Sequence, residues 1–424
     1  MENKVNANVN AKANWAIVLA GGRGSRLPIA GSCPKQFAPK FNDCTFVQDI
    51  VANISKAIKP SRILIVVTNP EQAEYATKQL TPLGVPSTNV VSFDPHYGYV
   101  AVMAMACDYV MSIDPDATVF ISPSDQHVVG VDKFVADINL SMAYAQQGES
   151  VLLGVKVADA NIVGGCGNAK YDSSESGPIY EIQEFIEKPL KKFGEEYVKK
   201  MLIADETVVN TGFYALPAKA MCDQYPAKEM KALLDKYYEE HSEATDLGLN
   251  PENMMKSLGM KLIVGNFGWA DCGTLAAYYN IQRRTPNHNN ASLGEVSRFE
   301  CRDSLFVSST KGIHIYGTGI KDGLAVVAFA TKEGGINVAV MNMAESQEVG
   351  KVTDFFERSE RASYSYNSEN CIIMPSNLSA SCKYAFLGVQ NIYVFVNRLD
   401  DGNINVNVSA NGKCVHEAKK DESK

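Results

Sequence analysis

Up to about residue 280, short apolar runs alternate with longer stretches in which apolar positions recur at helical spacing. The runs "WAIVLA" (15–20), "SRILIVV" (61–67), "ATVFISP" (117–123) and "SVLLGV" (150–155) show no in-out alternation. A strand with one wet face alternates, so these predict strands buried on both faces, as in a parallel sheet covered by helices. Between them, "PEQAEYATKQL" and "VDKFVADINLSMAYAQQ" read as amphipathic crossover helices. The pattern predicts an α/β fold with a doubly wound, mostly parallel, Rossmann-like sheet.

From about residue 290 the pattern becomes short β-like runs separated by glycine turns, "SLFVSS", "GIHIYG", "LAVVAFA" and "INVAVMN". Further on, "IYVFVNRLDDGNINVNVS" sets a DDG or DGN turn between alternating runs, a hairpin signal. The expected organisation is a flexible start (1–13), the α/β domain (14–285) and a β-rich, short β-helix-like domain (290–356). An additional β-rich extension (357–415) and a charged tail (416–424) follow.

Composition narrows the partners more than the fold. A net charge of −8 and a pI near 5.4 argue against a broad nucleic-acid surface and favour a small anionic ligand held in a local cationic pocket. No run reaches the length of a membrane span, and "MENKVNANVNAKAN" lacks the apolar core of a signal peptide, so a cytoplasmic protein without membrane partner is expected. Its 10 cysteines form no CxxC pair and sit at no zinc-ligand spacing, which fits scattered reduced thiols.

In doubly wound sheets ligands bind beyond the carboxyl ends of the strands, where two chemical cues fall. "GGRGSR" follows the first strand; glycine there lets backbone N–H groups approach phosphate oxygens, although a tight turn without ligand would look the same. It is neither GxGxxG nor GxxxxGK[ST], so dinucleotide and P-loop functions are disfavoured. Asp125 follows "TVFISP" at a strand tip, where its carboxylate could hold Mg²⁺ or cap the next helix, a task Asp132 could also perform. "FIEKP" (185–189), "VNTGFYAL" (209–216) and "FGWADCGT" (267–274) each join an apolar run to a turn.

Taken in order, "LAGGRGSRL", "PKQF", "PSD", "EKP", "NTG" and "WADCGT" resemble the motifs of the sugar-1-phosphate nucleotidylyltransferases, and most of all the mannose-1-phosphate guanylyltransferase group. The resemblance covers residues 15–353 and implies transfer of a nucleotidyl group from an NTP, GTP in this group, to a sugar 1-phosphate such as mannose 1-phosphate. It implies that Ala20, Gly21, Gly22, Arg23, Gly24, Ser25 and Ser124 bind the nucleotide, with Arg26 and Lys35 as catalytic cations on the triphosphate. Glu187 would contact sugar hydroxyls, Lys188 would act catalytically on the sugar phosphate, and Gly167, Asn210 and Gly212 would line the sugar pocket. Asp125 and Asp271 would share a Mg²⁺ cofactor. Such chemistry needs cations and metal to bring two anions together, and no protein nucleophile.

The chain departs from that pattern in three places. Gln126 follows the aspartate of "PSD"; Tyr97-Gly98-Tyr99 stands where the group shows Arg-Asn-Thr; and "VKVADANIVGGCGNAKY" is looser than the group's Pro-rich version. The second bears on base and sugar choice, leaving open the same chemistry with another substrate pair, or a binding protein that does not turn over. The Tyr-rich "SYSYNSENC" could pack a homo-oligomer interface, cover a sheet edge or add plain β structure.

Overall fold

The computed structural model describes residues 14–22, 27, 29, 33–93, 98–174, 177–204, 206–240, 249–318, 320, 323–330 and 335–343, and the strands within 371–418. Side chains are described to residue 329, apart from 238–240, and at Met343. The chain forms two compact units, Met1–Gly22 with Val47–Asp271 and Arg23–Phe46 with Cys272–Lys424.

The first unit is built on β1 (Asn14–Leu19), β2 (Ile63–Val67), β3 (Val90–Ser92) and β4 (Thr118–Pro123). Next come β5 (Gln126–Val129), β6 (Val151–Val155), β7 (Gly167–Lys170), β8 (Tyr180–Glu181) and β9 (Glu184–Glu187). It ends with β10 (Thr207–Pro217), β11 (Lys261–Val264) and β12 (Gly268–Asp271). The main sheet runs β3-β2-β1-β4-β10-β6-β11-β8, with β7 and β9 branching from β10, while β5 and β12 make a separate two-stranded ribbon.

Pairs among β1, β2, β3 and β4 are parallel, as is β6 with β11. The apolar runs account for this: every residue of β2 and β6 is buried, so helices must cover both faces. Helices α1 (Phe46–Ile54), α2 (Pro70–Leu80), α3 (Gly98–Ile113) and α4 (Val131–Gln146) supply cover and crossovers. Asn69 caps α2 by accepting from the Gln72 N–H at 2.9 Å. Neither carboxylate weighed as a cap for α4 fills that role; its N-cap is Gly130, in the left-handed conformation at φ 79°. β10 departs from the parallel pattern, running antiparallel to β4 and β6.

In the second unit, Leu27, Ile29, Ala38 and Phe46 share a core with Leu275 and Tyr278 of the helix Leu275–Ile281. The same core takes in β13 (Ala291–Leu293), β15 (Leu305–Ser308) and β17 (Leu324–Ala330), which pair in parallel. β14 (Glu295–Phe299) and β16 (Ile313–Thr318) feed a second parallel sheet. Successive strands thus alternate between two sheets, a short β-helical coil. Its first corner is Gly294 (φ 77°), where a Cβ would strike the Ser308 carbonyl, so only glycine fits.

β18 (Gly335–Asn342), β19 (Cys371–Ile373) and β20 (Ala380–Ala385) extend the first of these sheets antiparallel. β21 (Ile392–Arg398) joins β16 in parallel and forms with β22 (Ile404–Ala410) the hairpin read from sequence. β23 (Lys413–Ala418) completes this sheet and runs into the segment expected as a tail.

Candidate active site

The glycine turn starts where β1 ends. The Ala20 N–H donates to the Val66 carbonyl at 2.7 Å, and the Gly21 carbonyl accepts from Thr68 Oγ1 at 3.1 Å and Gln72 Nε2 at 3.4 Å. A Cβ on Gly21 would collide with the Thr68 methyl, so glycine lets the turn lie against the end of β2. No motif pointed to Thr68 or Gln72. Gly22 is exposed, and Arg23, Gly24, Ser25 and Arg26 lie outside the described residues.

Ser124 N–H donates to the Leu19 carbonyl at 3.2 Å, so the "PSD" corner is fastened to the end of β1 beside the glycine turn. The chain then enters β5, which pairs antiparallel with β12 so that Asp271 stands opposite Gln126. Asp125 and Asp271, separated widely in sequence, therefore occupy neighbouring positions at one end of the ribbon, both half-buried. Gln126, one of the departures, aims its Nε2 at Asp125 Oδ1 at 3.4 Å. Among the described residues no three His, Cys, Asp or Glu side chains form a metal cluster. Two carboxylates still suit Mg²⁺, which takes its remaining oxygens from water and substrate phosphates.

β7 pairs with β9 so that Gly167 faces Glu187. A Cβ on Gly167 would lie 2.7 Å from Glu187 Oε2 and collide with the Phe185 ring, so the bare backbone leaves the carboxylate its room. Lys188 follows in the left-handed region (φ 47°, ψ 63°), uncommon for a residue with a side chain, and directly before Pro189. Its N–H donates to the Cys166 carbonyl at 3.1 Å, and its exposed Nζ stands 3.5 Å from Glu187 Oε1. The segment 156–171, looser in sequence than expected, is held by side chains: Asp159 accepts from the Asn161 N–H at 2.8 Å, and Asn168 Nδ2 donates to Val163 and Cys166 carbonyls.

"NTG" forms a bulge in β10, where the register with β6 shifts between Asn210 and Phe213. Gly212 takes φ 77°, and a Cβ there would lie 2.8 Å from Pro123 Cγ, so the bulge abuts the carboxyl end of β4. Asn210 Oδ1 accepts from the Gly212 N–H at 2.8 Å, and Asn210 Nδ2 donates to the Tyr214 hydroxyl at 3.1 Å. Tyr99 Oη donates to the Gly212 carbonyl at 3.4 Å, and its phenol neighbours that of Tyr214. Burial, then the neighbouring Tyr214 and the charge of Asp125, hold the Tyr99 phenol well above its ordinary value. Burial pushes Tyr214 up to about 12, with Glu187 adding to the rise. Both are neutral hydroxyls at physiological pH.

Lys35 belongs to the second unit, in the short turn Lys35–Phe37, buried, with Nζ 5.5 Å from the centre of the Phe46 ring. Lys40, which no motif singled out, is fully buried in the same unit, 5.6 Å from that ring centre. In the first unit, a cavity of about 250 Å³ lies among Lys156, Val163, Asn168, Met201 and Val209. None of the predicted site residues lines it, so the candidate site is placed by the converging loops instead.

A mostly parallel sheet with a glycine turn at the carboxyl end of its first strand is the build of nucleotide-handling α/β proteins. The nucleotidyl transferase family model matches residues 15–288, and the chain belongs to that family. Similar proteins include the mannose-1-phosphate guanylyltransferase of Sinorhizobium fredii, 23% identical over 79% of this chain and 66% of its own length. That of Klebsiella pneumoniae is 23% identical over 83% of this chain and 76% of its own. Among solved structures, the mannose-1-phosphate geranyltransferase of Thermus thermophilus superposes with a TM-score of 0.64 at 20% identity. It covers 81% of this chain and 99% of its own, which establishes the shared fold.

Proposed function

We propose that this protein transfers a nucleotidyl group from GTP to mannose 1-phosphate, releasing pyrophosphate and forming the nucleotide sugar. A phosphate oxygen of the sugar 1-phosphate attacks the α-phosphorus as the bond to the pyrophosphate oxygen breaks, so no proton or electron is left unaccounted for. The observation that carries this reading is that the "LAGG", "PSD", "EKP", "NTG" and "WAD" segments, dispersed over the chain, are tied together in one unit by register and hydrogen bonds. The names of the relatives support the choice of GTP and mannose 1-phosphate.

Each group has a task. The Gly21-Gly22 backbone gives the phosphates a close approach, and Arg26 and Lys35 are proposed on their motifs as triphosphate cations. Lys188, raised on a strained backbone, meets the sugar phosphate; Glu187, given room by Gly167, orients the sugar hydroxyls; the Asn210–Gly212 bulge forms the sugar-side wall. Asp125 and Asp271 would hold Mg²⁺, which neutralises phosphate charge when bound. Full-length protein with Mg²⁺ should release pyrophosphate from GTP and mannose 1-phosphate, measured against a panel of NTPs and sugar 1-phosphates. Preference for another NTP would reject the guanylyl assignment and leave the family intact.

A further inference from the structure

Tyr97-Gly98-Tyr99 is the departure that the proposed function leaves unused. Tyr97 lies outside the described residues, but Tyr99, in the first turn of α3, reaches β10 and the Gly212 carbonyl. With Tyr214 and Asn210 it closes a ring around the Gly212 peptide. Asn210 Nδ2 gives to the Tyr214 hydroxyl, which gives to Asn210 Oδ1 at 3.3 Å; the Tyr99 hydroxyl, neighbour to that of Tyr214, gives to the Gly212 carbonyl, and Asn210 Oδ1 also takes the Gly212 N–H. This donor order uses each hydroxyl proton once. The N–H and the carbonyl of one residue, left-handed at φ 77° and pressed on Pro123, are thereby gripped by side chains.

We propose that Tyr99 is a positioning residue that fixes the Asn210–Gly212 bulge and tunes this chain's affinity for its sugar 1-phosphate. The inference rests on the sugar-side assignment of that bulge in the proposed function. Three observations favour it over simple core packing. The Tyr99 hydroxyl points at backbone rather than at apolar side chains; the residue it meets is one whose conformation needs holding; and each phenol has a carboxylate near it, Asp125 for Tyr99 and Glu187 for Tyr214.

The test is Tyr99→Phe, which keeps the ring and removes one hydroxyl. One hydrogen bond corresponds to about a fivefold change, so KM for mannose 1-phosphate should rise about fivefold while KM for GTP stays within about twofold. Tyr214→Phe should act alike, and the double variant should be little worse than either single one, because the ring fails once. Amide exchange at Gly212 should accelerate about tenfold in Tyr99→Phe with Ala215 unchanged. An unchanged sugar-phosphate KM in an active enzyme, or equal rises in both KM values, overturns the proposal. If wild type releases no pyrophosphate from any pair, the function fails, and the proposal fails with it unless Gly212 exchange and mannose 1-phosphate binding by calorimetry both respond to Tyr99→Phe. Should Tyr99→Phe not fold, Tyr214→Phe carries the same expectations.

Discussion

At residue scale, the clearest conflict between stability and a proposed task is Lys188. A side-chain-bearing residue in the left-handed region costs about 1 kcal/mol relative to glycine, and its exposed contact with Glu187 returns little. Lys188→Gly should therefore raise unfolding free energy by about 1 kcal/mol in urea while pyrophosphate release falls about 100-fold or more. Loss of both together would mean that the lysine is structural. Gly167→Ala is the converse case: its Cβ must displace Glu187 and the buried Phe185 ring, and a loss of about 1–3 kcal/mol with weakened sugar-phosphate binding is expected.

At the scale of elements, legibility followed burial. β2 and β6, uniformly apolar, were evident in sequence, as were α2 and α4 from their stripes. β10 was not, because "VNTGFYAL" reads as an apolar run joined to a turn, and only its neighbours β4 and β6 force a single bulged strand. The ribbon of β5 and β12 was likewise hidden: four residues on each side carry no period, and their pairing is a long-range event. The resemblance already implied that Asp125 and Asp271 lie together, whereas the register that brings them together could not be read. That adjacency gives a prediction. Asp271→Asn should abolish Mg²⁺-dependent pyrophosphate release while leaving the fold intact by circular dichroism, since Asp271 is half-buried and ends its strand. Unaffected turnover would remove Asp271 from the metal site.

The left-handed Lys188 and the Tyr99 ring were illegible for a different reason. A lysine gives no sequence sign of positive φ, and a tyrosine in place of another residue looks like decay until its hydroxyl is seen against Gly212. Leu27, Ile29, Ala38 and Phe46 show the same limit, since their burial with Leu275, Tyr278 and the first β-helical strands has no local signature.

At the scale of the whole molecule, the buried phenols set an alkaline limit. Tyr214 titrates at an ordinary value of 10.0 when unfolded and at about 12 in the fold, and Tyr99 is also raised. Below pH 10 neither state loses these protons and their contribution is constant. Between about pH 10 and 12 the unfolded chain releases protons that the folded chain retains, so stability must fall with rising pH. Urea unfolding at about pH 9 and about pH 11 should show this, and Tyr214→Phe should reduce the slope. A wild-type slope that Tyr214→Phe leaves untouched would assign the loss to other groups.

The chain as a whole is acidic, at −8, and both proposed substrates are anions, so the reaction itself is the sharpest test. Full-length protein is incubated with Mg²⁺, GTP and mannose 1-phosphate, and pyrophosphate and nucleotide sugar are quantified together. Equal amounts of the two products, absent without Mg²⁺, are predicted; no pyrophosphate from any NTP and sugar 1-phosphate pair would contradict the account.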